Sequence, residues 1–260
     1  MSGTAEAPEA AVTPGAAATP GAAGAVARSG PWPVTEAEAR AVQEELRARV
    51  ERADHAPPPG TPGTLLAGVD VAYDDAHDTV AAAAVVLDGA THEVVARATE
   101  CARVPFPYVP GLLAFRELPA VLVALERLDR VPDLVVCDGY GLAHPRRLGL
   151  ASHLGVLTGL PTIGVAKTPF RYRHGPVGAV RGDGAPLLDG TEEVGRALRT
   201  REGVRPVYVS VGHRVGLDSA CAHTLDLARR YRLPETTRRA DALCRAALRE
   251  ALEDAGRAGH

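Results

Sequence analysis

Three β-type runs stand one after another, Leu65 to Ala72, Val80 to Leu87 and Glu93 to Val104, before any alternation of helix and strand begins. They are rich in Val and Ala and are separated by Asp, His and Gly punctuation, which predicts an antiparallel meander. The pattern then changes. Short apolar runs at Asp133 to Cys137, Pro161 to Ala166 and Val207 to Val211 have the length and composition of buried strands. Between and after them, helices are predicted at about 110–130 (interrupted at Pro119), 146–158, 217–231 and 236–254, with an earlier one at 36–53 behind the cap Thr35. A meander followed by alternation points to an α/β fold with mixed strand pairing.

Residues 1–33 are mostly Ala, Pro, Gly and Thr, a composition that buries too little apolar surface to offset ordering, and are expected to be a disordered tail. Residues 34–260 are expected to form a single catalytic domain. No run reaches the roughly 20 apolar residues of a membrane span, and the start lacks the order of a secretory signal, so a cytoplasmic protein is expected. Cys101, Cys137, Cys221 and Cys244 form no C-x-x-C pair and are expected to be reduced and mostly buried. The net charge of -3 counts against a nucleic-acid binder. Its distribution counts the other way, because no acidic residue lies between Asp138 and Asp183 while Arg146, Arg147, Lys167, Arg171, Arg173 and Arg181 do. Lys167 is the single lysine among 29 basic residues, and an ammonium kept where Arg serves everywhere else suggests a specific task.

Two carboxylates stand out by their apolar context. Asp70 interrupts Leu65-Leu66-Ala67-Gly68-Val69-Asp70-Val71, and Asp138 follows Leu134-Val135-Val136-Cys137 directly before a glycine turn. Burying either uncompensated would be costly. Each alone could sit on a solvent face or cap a turn. Together, at the ends of neighbouring strands, they would form a hard-oxygen site suited to Mg²⁺ or Mn²⁺. Glu117 could add a third oxygen, or remain a solvated helix charge. His213, just past a buried strand, could complete the site, with Asp218 as its rival. In Pro105-Phe106-Pro107-Tyr108-Val109-Pro110, prolines stiffen a loop from which an aromatic ring could wedge into a base stack, Tyr108 rather than Phe106. Gly139-Tyr140-Gly141, with His144, Arg146 and Arg147, could hold phosphate or a base edge.

Five segments, Ala67-Gly68-Val69-Asp70, Pro107 to Glu117, Asp138 to Arg146, Gly164-Val165-Ala166-Lys167 and Gly212-His213-Arg214, resemble in order the endonuclease V (deoxyinosine 3′ endonuclease) family over about 65–230. The resemblance implies an RNase H-like mixed five-stranded sheet with flanking helices. It implies Mg²⁺, with Mn²⁺ able to substitute, at Asp70, Asp138 and Glu117, and assistance from Lys167 and His213. It places a DNA wedge at Tyr108 and a pocket for flipped hypoxanthine around Gly111, Leu113, Gly139 and His144. Arg146 and Arg147 are expected at phosphate, and Tyr140 is given no role. The implied activity is hydrolysis of the second phosphodiester bond 3′ to deoxyinosine by a monomer, leaving 3′-hydroxyl and 5′-phosphate ends. An inosine-specific endoribonuclease on the same scaffold, a non-catalytic nucleic-acid binder and a small-molecule α/β enzyme are the alternatives. The last lacks a nucleotide-binding glycine signature.

Overall fold

The computed structural model describes residues 31–258. The elements are α1 (Glu36–Arg47), β1 (Leu65–Asp74), β2 (Thr79–Asp88), β3 (Val94–Arg103), α2 (Leu113–Glu126), β4 (Leu134–Cys137), α3 (Leu150–Thr158), β5 (Thr162–Ala166), β6 (Gly184–Asp189), β7 (Glu192–Leu198), β8 (Val207–His213), α4 (Leu217–Leu227) and α5 (Glu235–Ala258). They build one sheet in the order β3-β2-β1-β4-β5-β8-β7-β6. The first three strands are the predicted antiparallel meander. β4 and β5 continue parallel to β1, and β8, β7 and β6 each run antiparallel to the preceding neighbour.

The sheet has eight strands, not five. The β6–β7 hairpin escapes a reading of hydrophobic alternation, because Gly184, Pro186, Gly195 and several charges dilute its pattern. The turn itself is legible: Asp189-Gly190 opens a two-residue loop, and Gly190 takes φ 63, where glycine carries no steric cost.

Alternation along the strands sends side chains to two cores. Ala67, Val69, Val135 and Cys137 face α1, α2 and α3. Leu66, Leu134, Val136, Ile163 and Val209 face α4 and α5. β2 is buried on both faces, which explains its unbroken apolar run. The first turn of α5 lies directly on β1, since a Cβ on Gly68 would come within 2.3 Å of the Thr236 backbone.

Two boundaries differ from expectation. Of the expected tail, residues 1–30 lie outside the described residues, but Trp32 and Pro33 belong to the fold. Pro119 inside α2 has no N–H to offer the Phe115 carbonyl one turn back, and the Trp32 indole N–H donates to that carbonyl instead (2.8 Å). The indole also stacks on His153 at 6.1 Å. Helix α1 stops at Arg47, short of 53, because the chain at 51–55 is captured by the end of β8: Arg214 N–H donates to Glu51 O (2.7 Å) and His55 N–H to Arg214 O (3.0 Å). All four cysteines are free, with Cys101 exposed and the others buried.

Candidate active site

Strand direction decides what meets at the site. β1, β4 and β5 are parallel, with Val69 beside Cys137 and Cys137 beside Gly164. Asp70, Asp138 and Lys167 therefore gather where these three strands point, the position α/β sheets use for ligands. Lys167 Nζ is ion-paired to Asp138 Oδ2. Asp70 Oδ1 accepts the Val71 N–H (2.9 Å). Glu117 enters from α2, buried, and its Oε1 accepts the Tyr73 hydroxyl (3.2 Å).

Asp70 and Glu117 are held against their preference for charge. Burial first, then repulsion from Asp138, pushes Asp70 up to about 7. Burial and then Asp70 push Glu117 up to about 8. A fourth carboxylate, which the sequence does not single out, contributes to the same field: Asp241 of α5 acts on both Asp70 and Lys167. In sequence it looks like any solvated charge on an amphipathic helix, paired with Arg245 one turn on.

Among the described residues no three His, Cys, Asp or Glu side chains already meet at metal-binding spacing. The donor chemistry nevertheless fits a hard cation. Mg²⁺ is commonly held by one or two carboxylates, with water and substrate phosphate completing its shell. Mutual repulsion among buried carboxylates is what a divalent charge relieves.

Beside Asp138 and Lys167 opens a cavity of about 350 Å³. The expected pocket residues Gly111, Leu113, Gly139 and His144 all line it, and so do Tyr140, Gln43 and Phe170, to which the sequence gives no role. Leu113, at the start of α2, is 37% exposed on this lining. Tyr108 is also on the lining and is 69% exposed, whereas Phe106 is buried in the core. The Gly111 turn, at φ 81, is fixed through its carbonyl, which accepts from Arg146 Nη2 (2.7 Å), Gln43 Nε2 (3.0 Å) and His144 Nε2 (3.1 Å). His144 Nδ1 accepts the Arg146 N–H (3.2 Å), so the ring is neutral. Burial, reinforced by Arg146, lowers it to about 4.

His213 lies away from the site, and Arg146 and Arg147 are engaged within the protein. His213 ends β8, which is antiparallel to β5, and lies opposite Thr162 at the far end of the sheet. There its Nδ1 accepts the Glu51 N–H (3.2 Å). Its rival Asp218 is ion-paired to Arg196 (2.7 Å). Arg146 is engaged with Gly111 and Gln43. Arg147 is bound to Asp189 (2.9 Å), Glu192 (2.8 Å) and the Tyr172 hydroxyl (2.7 Å). Both guanidiniums brace neighbouring elements through these contacts.

The endonuclease V family model matches residues 44–242. Endonuclease V of Streptomyces coelicolor is 71% identical over 220 residues, covering 85% of this chain and 94% of that protein. The crystal structure of endonuclease V from Streptomyces avermitilis superposes with a TM-score of 0.82 at 68% identity, over 85% of this chain and 96% of that one. Endonuclease V from Ciona intestinalis, solved with a 24mer DNA containing an inosine followed by a ribo-adenosine, superposes with a TM-score of 0.72 at 29% identity, over 83% of this chain and 98% of that one. The sheet with its RNase H-like order, the clustered carboxylates and these matches lead to one assignment: the chain belongs to the endonuclease V family.

Proposed function

We propose that this nuclease cuts DNA containing deoxyinosine at the second phosphodiester bond 3′ to the lesion, with Mg²⁺ as cofactor and Mn²⁺ able to replace it. One observation carries the reading: the cavity and the carboxylate centre share Asp138 and Lys167. A base turned out of the stack and a nearby phosphate would thus be held by one continuous surface. Tyr108 at the cavity mouth fills the gap the base leaves.

A divalent ion held by Asp70 and Asp138, with Glu117 or Asp241 beside it, would supply an acidified water and neutralise phosphate charge. In the reaction the water oxygen bonds to phosphorus, the bond from phosphorus to the 3′ oxygen breaks, and that oxygen leaves with a proton. Lys167, anchored on Asp138, brings an ammonium donor to the departing oxygen. Tyr73 orients Glu117 through its hydroxyl. His144, neutral, fixes the Gly111 turn that hypoxanthine would meet, and the backbone there offers polar groups to O6 and N1.

The test uses end-labelled duplexes carrying one deoxyinosine, with undamaged duplex and inosine-containing RNA as controls, each with and without Mg²⁺. A Mg²⁺-dependent nick one nucleotide beyond the lesion in DNA supports the reading. Cleavage of the RNA alone would replace it with the ribonuclease reading, which the ribo-adenosine in the Ciona complex makes the second substrate to try.

A further inference from the structure

We propose that the loops at 168–183, 199–206 and 229–233 form a seat for the DNA strand that continues 3′ from the cut. The inference rests on the proposed reaction for its direction, and on the fold for its position. Ala166 pairs with Tyr208, and Leu198 with Val207 and Gly184. The first two loops therefore emerge at the same end of the sheet as Asp138 and Lys167. The third is tied to that end by Arg232, which donates to the carbonyls of Lys167 (2.6 Å), Pro206 (2.8 Å) and Arg205 (2.9 Å).

Charge segregates there. Arg171, Arg173, Arg181, Arg201, Arg205 and Arg230 are exposed on these loops. Among the described residues none of the six has a carboxylate partner, whereas neighbouring Arg196, Arg229, Arg238 and Arg239 are each ion-paired. Of the two acids on these loops, Asp183 is turned inward to the Val180 N–H (2.8 Å) and Glu202 is exposed, against six exposed arginines. In a chain of net charge -3, a cluster of uncompensated arginines beside a nuclease centre is an electrostatic footprint for a polyanion.

The loops are also braced. Arg199 donates to Gly178 O (2.9 Å) and Val177 O (3.2 Å), Arg201 to Arg230 O (3.0 Å), and Arg181 to Leu225 O (2.5 Å). A surface set in advance loses less entropy on binding. None of the six arginines lines the base cavity. Lys167 separates the two regions, with its side chain on the cavity and its carbonyl on Arg232. With the lesion in the cavity and the cut phosphate at Asp138 and Lys167, the strand beyond the cut passes onto the arginines.

The test compares Arg171→Gln/Arg205→Gln/Arg230→Gln with Arg97→Gln/Arg130→Gln/Arg249→Gln, three exposed arginines elsewhere, so that net charge changes equally. KM is measured against salt on deoxyinosine duplexes trimmed stepwise from the 3′ or the 5′ side of the lesion. The first variant is expected to lower the slope of log KM against log salt by about 0.9 for each phosphate it no longer neutralises, up to ~2.7. It should also become insensitive to 3′ trimming, while the second variant keeps the wild-type slope. Equal slopes for the two variants, or sensitivity that follows 5′ trimming, would overturn the proposal. If the wild type cuts no deoxyinosine duplex, the proposed reaction fails. The same slopes, read by fluorescence anisotropy on undamaged duplex, still decide the surface. Should the triple variant fail to fold, the single variants, each expected to lower the slope by about 0.9, decide it.

Discussion

The two ends of the sheet hold similar residue types under opposite conditions. At the end where β1, β4 and β5 point, half-buried Asp70 and buried Glu117 lie close to further carboxylates and are raised to about 7 and 8. At the other end, Gly212-His213-Arg214 is used up in joining β8 to the segment after α1, through Glu51 and His55. One end stores uncompensated polarity and the other closes it. A motif shared with a nuclease family is therefore not by itself a catalytic motif, and the direction of its strand decides.

The sharpest way to break this contrast is substitution at both ends. Asp70→Ala or Asp138→Ala should lower single-turnover cleavage by on the order of 10³ or more, with the circular-dichroism spectrum preserved. His213→Ala should leave turnover within a few-fold and cost about 1–3 kcal/mol of stability by denaturant titration, because the Glu51 N–H loses its acceptor. A His213 variant as inactive as Asp138→Ala would erase the distinction. Asp241→Asn should reduce cleavage about 10–100-fold, and more at limiting Mg²⁺ than at saturation, as expected for a group near a metal rather than in the fold.

A smaller effect sharpens the cavity side. Gln43→Ala removes a donor to Gly111 and the acceptor of Arg146, and should raise KM for deoxyinosine DNA about fivefold without changing affinity for undamaged duplex. Equal weakening for both duplexes would make Gln43 a purely structural residue.

Acid stability offers a test away from both ends. His153 is buried against Trp32 and Phe115 and lowered to about 3. Its folded value lies below the ordinary value of about 6.5, so folding favours the neutral ring. That contribution is intact above about 6.5 and is lost as pH falls toward 3, with His144 adding to the same trend. His153→Leu should shrink the drop in Tm between pH 7 and pH 5, and an unchanged drop would assign the acid sensitivity elsewhere. Least of all, Arg147→Gln should leave the salt dependence of DNA binding as it was, since its guanidinium is held by Asp189 and Glu192.

What a sequence reveals in advance follows from locality. The meander, Asp70 and Asp138, and the exposed Tyr108 are visible because each is marked by its immediate neighbours in sequence. Asp241 and Gln43 act only after α5 folds onto β1 and α1 reaches the Gly111 turn, so nothing beside them in the chain marks them. His213 is misplaced by sequence alone because apolar runs reveal burial but not direction, and an antiparallel strand delivers its last residue to the opposite end.

Gly68 carries a consequence for inheritance. Since a Cβ there would collide with the Thr236 backbone, a Gly68→Ala substitution has to lift α5, and Asp241 with it, from the strand that bears Asp70. A missense allele adding one methyl group would thus impair the enzyme with every ionisable side chain intact. A screen of null alleles should recover codon 68 together with the aspartate codons.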